Sequence, residues 1–268
     1  MKIRLKDRKR QKILRISAFL ICLSVIIFGL LTFLSHLPYF QVNKIEVRGN
    51  TTIDAGALVA STREALSGKH FFLFPKSNIF LYSKVSVKNY ILEKHPKVKE
   101  LAIHTTDLRS FSVVVSERQP KAIWCQGEPD FSEAPLETPC FFTDKDGFVY
   151  APSPELAGTV YLRFYGLIDH EVPISQRYDT KEGFVAVLSF LEEVKNITNL
   201  TPIAFWEKED GERQVFLENG TKVIFSLEQE FSTVLESLSI AFANIQTGGK
   251  IPELEYIDLR FENKVFYK

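Results

Sequence analysis

Residues 16–37, Ile16 to Leu37, form one apolar stretch without Asp, Glu, Lys or Arg, directly after a strongly basic N-terminal tail. At a rise of about 1.5 Å per residue such a helix is about 33 Å long, enough to cross a hydrocarbon core of about 30 Å. Lys2, Arg4, Lys6, Arg8, Lys9, Arg10, Lys12 and Arg15 precede it, opposed only by Asp7. The positive-inside bias assigns this tail, residues 1–15, to the cytoplasm and sends the rest of the chain across the membrane. A cleaved secretory signal is the rival reading, but its apolar core usually runs about 7–15 residues and ends in a small-x-small site. Here the run is longer and leaves through Ser35-His36-Leu37-Pro38-Tyr39-Phe40, which offers no Ala-x-Ala. Tyr39 and Phe40 suit the interfacial aromatic belt. A retained signal-anchor with a single span is the expectation.

Charge and cysteine usage narrow what the exported part can do. Eight basic groups against one acid leave +7 on the tail, and because the chain is neutral overall the remainder carries −7. A mildly acidic body speaks against nucleic acid as a partner, which would call for a basic face. About 230 exported residues exceed a typical domain of about 100–150, so one large or two modest domains are expected. Cys22 lies in the span as a small apolar residue, whereas Cys125 and Cys140 fall in the exported part, where disulfides form. They bracket a Pro- and Glu-rich segment, Gln126 to Pro139, that reads as a loop between two strands. A structural disulfide is favoured there over free thiols or metal ligation.

Hydrophobic periodicity gives the element order. Ile45 and Val47 alternate with Lys44, Glu46 and Arg48, the period of a half-buried strand, and Gly49-Asn50 stops it. Thr51, three residues before Asp54, reads as an N-cap for a helix carrying Leu58, Val59, Thr62 and Leu66. A second helix, with Leu81, Val85 and Leu92 on one face, cannot pass His95, because Pro96 excludes the α conformation from its predecessor. Two strands follow, around Leu101–Ile103 and Phe111–Val115. The order over residues 40–118 is therefore β-α-α-β-β, a three-stranded sheet covered by two helices.

Residues 119–268 are richer in strands. Ile123-Trp124 begins one, and the Phe141–Tyr150 region folds back at Asp146-Gly147. Tyr161, Phe164 and Tyr165 precede Gly166. Helices are expected near Lys181–Lys195 and from Leu227 to Ile245, the second broken by Gly248-Gly249. A strand at Ile203–Trp206 and a hairpin around Asn219-Gly220 separate them. Two short strands joined at Glu262-Asn263 close the pattern. The fold class is α+β: one transmembrane helix (16–37), a β-α-α-β-β domain (40–118) and a mixed, strand-rich domain with two helices (119–268).

In order, these residues resemble a family. Phe40-x-Val-x-x-Ile45-x-Val47-x-Gly49-Asn50 follows the span, then Glu117-Arg118-x-Pro120-x-Ala122-x-Trp124, Asp144-x-Asp146-Gly147 and Tyr256-Ile257-Asp258-Leu259-Arg260-Phe261. The chain looks like FtsQ/DivIB, the bitopic bacterial cell-division protein, with residues 40–118 matching its polypeptide-transport-associated (POTRA) domain and 119–268 its β domain. It departs from the family pattern at the Cys125–Cys140 insertion, at Tyr161–Gly166 and at Lys121. The resemblance implies a scaffold in the cytoplasmic membrane at the division septum. It would bind FtsB/DivIC-like and FtsL-like proteins and help regulate septal peptidoglycan synthesis, with no cofactor, no metal and no small-molecule substrate. It also implies that the last strands receive a strand of the partner. Unpaired backbone groups at a sheet edge supply affinity in such docking, and alternate side chains supply specificity. Tyr256, Asp258, Arg260, Phe261, Val265 and Tyr267 would form that edge, with Arg260 poised for a bidentate pair with a partner carboxylate. Glu117 and Arg118 read as an exposed hinge pair, stiffened by Pro120.

Little in the chain suggests catalysis. His36, His70, His95, His104 and His170 show no His-x-x-x-His spacing, and no Cys-x-x-Cys, Gly-x-Ser-x-Gly or phosphate-loop motif is present. A Cys125 or Cys140 nucleophile served by His104 or His170 is the remaining catalytic reading, and the expectation is that the protein is not an enzyme. The competing interaction reading is a POTRA-containing envelope protein that handles secreted or outer-membrane clients. Such chains normally carry several repeats or a C-terminal barrel.

Overall fold

A single long helix, α1 (Lys2–Ser35), opens the chain, so the basic tail continues the same helix as the apolar run. Between Lys9 and Ser35 it is long and apolar enough to cross a membrane, and none of its most apolar stretch is buried against the rest of the chain. Phe19, Val25, Ile26, Leu30 and Phe33 lie exposed around its circumference. A helix apolar on every side needs an apolar surrounding. A 3-10 turn, Pro38–Phe40, follows it.

The computed structural model describes residues 2–129, 131, 138–154, 160–168, 171–245, 254–261 and 264–268, and is a mixed α+β chain. It divides into two units, residues 1–117 and 118–268. His170, the Gly248-Gly249 break, the Glu262-Asn263 turn and most of the 130–137 segment lie outside the described residues.

The first unit contains β1 (Lys44–Arg48), α2 (Ala55–Ala65), β2 (Lys69–His70), β3 (Phe74–Pro75), α3 (Lys84–Lys94), β4 (Val98–Asp107) and β5 (Ser110–Glu117). Its main sheet has the order β1-β5-β4, with β1 parallel to β5 and β4 antiparallel to it. Leu58, Leu66, Val87 and Ile91 of the helical layer pack with Leu101, Ile103, Phe111, Val113 and Val115 of the sheet. Gly49 ends β1 at φ +82°, and a Cβ there would stand 2.3 Å from the Val115 carbonyl oxygen, so no side chain fits.

Two local expectations are corrected. The N-cap of α2 is Asp54, which accepts from the Ala57 N–H at 2.7 Å, while Thr51 is held from elsewhere. In α3 the buried pair is Val87 and Ile91, one turn apart, whereas Leu81 and Val85 are exposed. Ser83 caps that helix, so Leu81 lies ahead of it and Val85 falls in a first turn that faces outward.

The second unit contains β6 (Ala122–Cys125), β7 (Cys140–Thr143), β8 (Val149–Pro152), β9 (Arg163–Tyr165), α4 (Lys181–Thr198), β10 (Pro202–Glu207), β11 (Glu212–Leu217), β12 (Lys222–Ser226), α5 (Phe231–Ile245), β13 (Tyr256–Asp258) and β14 (Phe266–Tyr267). They form one sheet in the order β14-β13-β12-β11-β10-β9-β6-β7-β8. The parallel neighbours β9/β10 and β12/β13 are each joined through a helix, whereas β6 and β9, also parallel, are joined by a crossover that includes β7 and β8. α4 and α5 bury Phe184, Phe190, Leu191, Val234 and Leu238 against Phe164, Phe205, Phe225 and Ile257 of the sheet. Leu227, expected in phase with α5, precedes it and is exposed.

Candidate partner-binding sheet edge

β14 is the outermost strand of the nine, and its register decides which backbone groups it offers. Tyr256 and Lys268 exchange N–H···O bonds at 3.4 and 3.2 Å, and Asp258 stands opposite Phe266. Tyr267 opposes Ile257 in the pair between them. Hydrogen-bonded and non-hydrogen-bonded pairs alternate along an antiparallel ladder. The N–H and C=O groups of Phe266 therefore turn inward to β13, and those of Val265 and Tyr267 turn outward. Ile257 turns toward β12, to which the flanking bonds Lys222 N–H to Glu255 C=O and Leu259 N–H to Ile224 C=O run. The opposite edge, β8, is covered at Val149, whose backbone bonds to Ser175 and Gln176.

Among the described residues, three aromatic side chains at this edge are exposed. Phe261, Phe266 and Tyr267 are each about half exposed, and Phe261 meets Phe266 edge-on at 5.2 Å between centroids. Val265 packs against the core, and Tyr256 is half-buried. Lys268 and Glu255 pair at 2.8 Å across the β13–β14 ribbon. Gln229 secures the end of β13: it donates to the Leu259 carbonyl at 2.9 Å while accepting from the Ser226 N–H at 2.8 Å.

Arg260 does not wait for a partner's carboxylate. Its Nε donates to Asp258 Oδ1 at 2.9 Å, its Nη2 to Asp258 Oδ2 at 2.6 Å and its Nη1 to Glu212 Oε2 at 2.6 Å. Asp258 is buried and would be uncompensated without it. Burial pushes the Asp258 carboxyl up, but the Arg260 hydrogen bonds and charge pull it further down, leaving it below its ordinary value. The guanidinium is thus a clamp between β11 and the end of β13. Sequence gave no sign of Glu212, which lies 48 residues away.

The other quoted motifs also find their partners inside the chain. Glu117 accepts from the Thr51 N–H at 2.6 Å, the Thr52 N–H at 3.0 Å, the Ile53 N–H at 3.1 Å and both threonine hydroxyls. Burial opposes its charge, yet these donors hold its carboxyl at about 2. Arg118 pairs with buried Asp144 at 2.5 Å and lies 3.8 Å over the Phe148 ring. Asp144 in turn accepts from the Asp146 and Phe148 N–H groups, which shapes the Asp144–Gly147 turn. Both side chains of the expected exposed hinge pair are therefore engaged, Glu117 in the first unit and Arg118 in the second, with half-buried Pro120 just beyond.

Cys125 and Cys140 form a disulfide between directly opposed residues of β6 and β7. Their sulfurs bond each other, which removes the cysteine-nucleophile reading. Phe131, from the segment the bridge closes, packs on Phe216 on the sheet face away from α4 and α5. His95 is hydrogen-bonded to the Ser61 hydroxyl at 2.8 Å. Among the described residues no cluster of three or more His, Cys, Asp or Glu is arranged to hold a metal ion. No protein-family model matches the chain, and no curated protein sequence matches it.

Proposed function

We propose that this protein is a single-pass membrane scaffold of the bacterial division complex, of the FtsQ/DivIB type, that recruits an FtsB/DivIC-like partner by accepting one of its strands along β14. In this reading α1 is the anchor, the basic tail stays in the cytoplasm, and both units lie outside. The observation that carries the proposal is the outward backbone of Val265 and Tyr267, bordered by exposed Phe261, Phe266 and Tyr267. An added strand would satisfy those groups and cover those rings in one step. The β-α-α-β-β order of the first unit, carrying a small β2–β3 hairpin between its helices, supports a POTRA-like module, and the sequential motifs support the family.

The register supplies a sharp test. Proline at 265 deletes an outward donor and leaves the β13–β14 bonds in place, whereas proline at 266 deletes an inward one. Val265→Pro should abolish co-purification of the full chain with its division partner, while tryptophan-monitored unfolding of the second unit shows no greater loss than Val265→Ala, which gives up the same core contact but keeps the N–H and the partner. Partner recovery at the wild-type level would sink the edge model. A fluorescent fusion should gather at mid-cell; a uniform envelope signal would favour client handling instead.

A further inference from the structure

The β2–β3 hairpin is the least water-compatible surface of the described chain outside α1. Its turn is closed by the Leu73 N–H donating to the His70 carbonyl at 3.0 Å, with φ +49° at Phe71 and +63° at Phe72. Asn-Gly is the usual occupant of two successive positive-φ positions. Here two phenylalanines stand there, 87% and 93% exposed, beside half-exposed Leu73. The backbone disfavours them and water disfavours them, so the turn is poorly suited to an aqueous loop on both counts.

The position of the hairpin against α1 says what surrounds it. Asn78 is buried and donates to the Ser35 carbonyl at 3.0 Å, the Ile79 N–H reaches the Phe40 carbonyl at 2.8 Å, and the Val42 N–H reaches the Ser77 carbonyl at 2.9 Å. This ties residues 77–79 to the outer end of α1. Four residues earlier, Phe74 lies edge-on against Phe28 at 5.7 Å between centroids. Phe28 is seven residues before Ser35, about 10 Å down the helix axis. The strand thus descends beside the apolar helix, and Phe71–Leu73 extend from that level into whatever medium bathes α1. Phe80, 69% exposed, and Leu81 continue the apolar surface toward Tyr39, whose ring carries Arg109 at 4.9 Å.

We propose that Phe71, Phe72 and Leu73 insert into the outer leaflet as a second membrane contact of the first unit. A depth of about 5–10 Å is where amphipathic segments rest at the headgroup–acyl boundary. Lys69 and Lys76, at the base of the hairpin, have stems long enough to lift their amines to the lipid phosphates. The occupant is lipid because the hairpin shares its surroundings with α1, and the inference rests on α1 crossing the bilayer. Its consequence is that the first unit is held to the membrane plane at two points.

The test uses the full chain in vesicles of phosphatidylethanolamine and phosphatidylglycerol, without any other protein. A nitroxide is placed at Phe72→Cys in a Cys22→Ser background, at native Cys22, and at Val85→Cys, an exposed site on α3. Collision with oxygen is compared with collision with a water-soluble nickel chelate. The label at 72 should follow the one at 22, favouring oxygen several-fold, while the label at 85 favours the chelate. Lipid-like behaviour at 22 with water-like behaviour at 72 overturns the hairpin proposal alone. Water-like behaviour at both sites overturns the anchor with it. Phe71→Cys repeats the measurement should Phe72→Cys not fold.

Discussion

Glu117→Gln is the substitution whose cost the geometry defines best. The carboxylate closes the turn between β1 and α2 by accepting from three consecutive backbone N–H groups and two hydroxyls of residues 51–53. A carboxyl held at about 2, against an ordinary 4.5, corresponds to about 3 kcal/mol at 1.36 kcal/mol per pH unit. Water around this turn screens part of that, bringing the expected loss to about 1–2 kcal/mol. A loss of about 1.4 kcal/mol is a factor of ten in local opening, so the amides of Thr51, Thr52 and Ile53 should exchange roughly ten-fold faster at pH 7. Hydrogen exchange read by mass spectrometry resolves this in the full chain, with second-unit peptides as the internal control. Because the folded pKa is depressed, the stabilisation is complete above about 4.5 and disappears as pH falls toward about 2. In denaturant titrations the difference between wild type and variant should shrink over that window. Unchanged exchange at residues 51–53, or a difference that persists at pH 2, would refute the reasoning.

Three further outcomes follow from the second unit. Reducing Cys125–Cys140, or replacing both by Ser, should lower its stability by about 3 kcal/mol, the loop-closure value for a separation of 15 residues; urea unfolding followed by the emission of Trp124 and Trp206 measures it. Arg260→Ala should cost about 1–2 kcal/mol, because it strands buried Asp258 while water reaching the partly exposed Arg260 end of the pair softens the loss. Its signature is a lowered melting temperature, and partner loss without any change in stability would contradict the clamp. Gly166→Ala should cost more than about 1 kcal/mol in the same urea assay, since φ is +83° and the new Cβ would stand 2.0 Å from the Glu207 carbonyl oxygen; wild-type stability would show that the chain tolerates a side chain there.

What was legible in the sequence is what depends on near neighbours. The apolar length of α1, the alternation in β4 and β5, the Asn219-Gly220 hairpin and the inward face of α4 all follow from residues within one element. The disulfide was legible because its cysteines bracket a segment between two recognisable strands. Jobs shared across 26 to 66 residues were not: Glu117 on residues 51–53, Arg118 on Asp144 and Arg260 on Glu212 all looked like surface charges. The β2–β3 hairpin was missed for another reason. Its strands are two residues long and its turn carries Phe-Phe, which has none of the usual turn chemistry. The inward face of α3 was misread because Ser83 starts the helix later than the apolar pattern of Leu81 and Val85 suggests.

From β9 onward the sheet of the second unit is laid down in chain order, each new strand beside the last, until β14 forms the final row. Among the described residues β14 pairs with β13 alone, and β13 pairs on its other side with β12, so this margin is supported from one side only. In the proposed reading, anything that parts β13 from β12 also displaces the docking strand, at a distance from any residue the partner would touch.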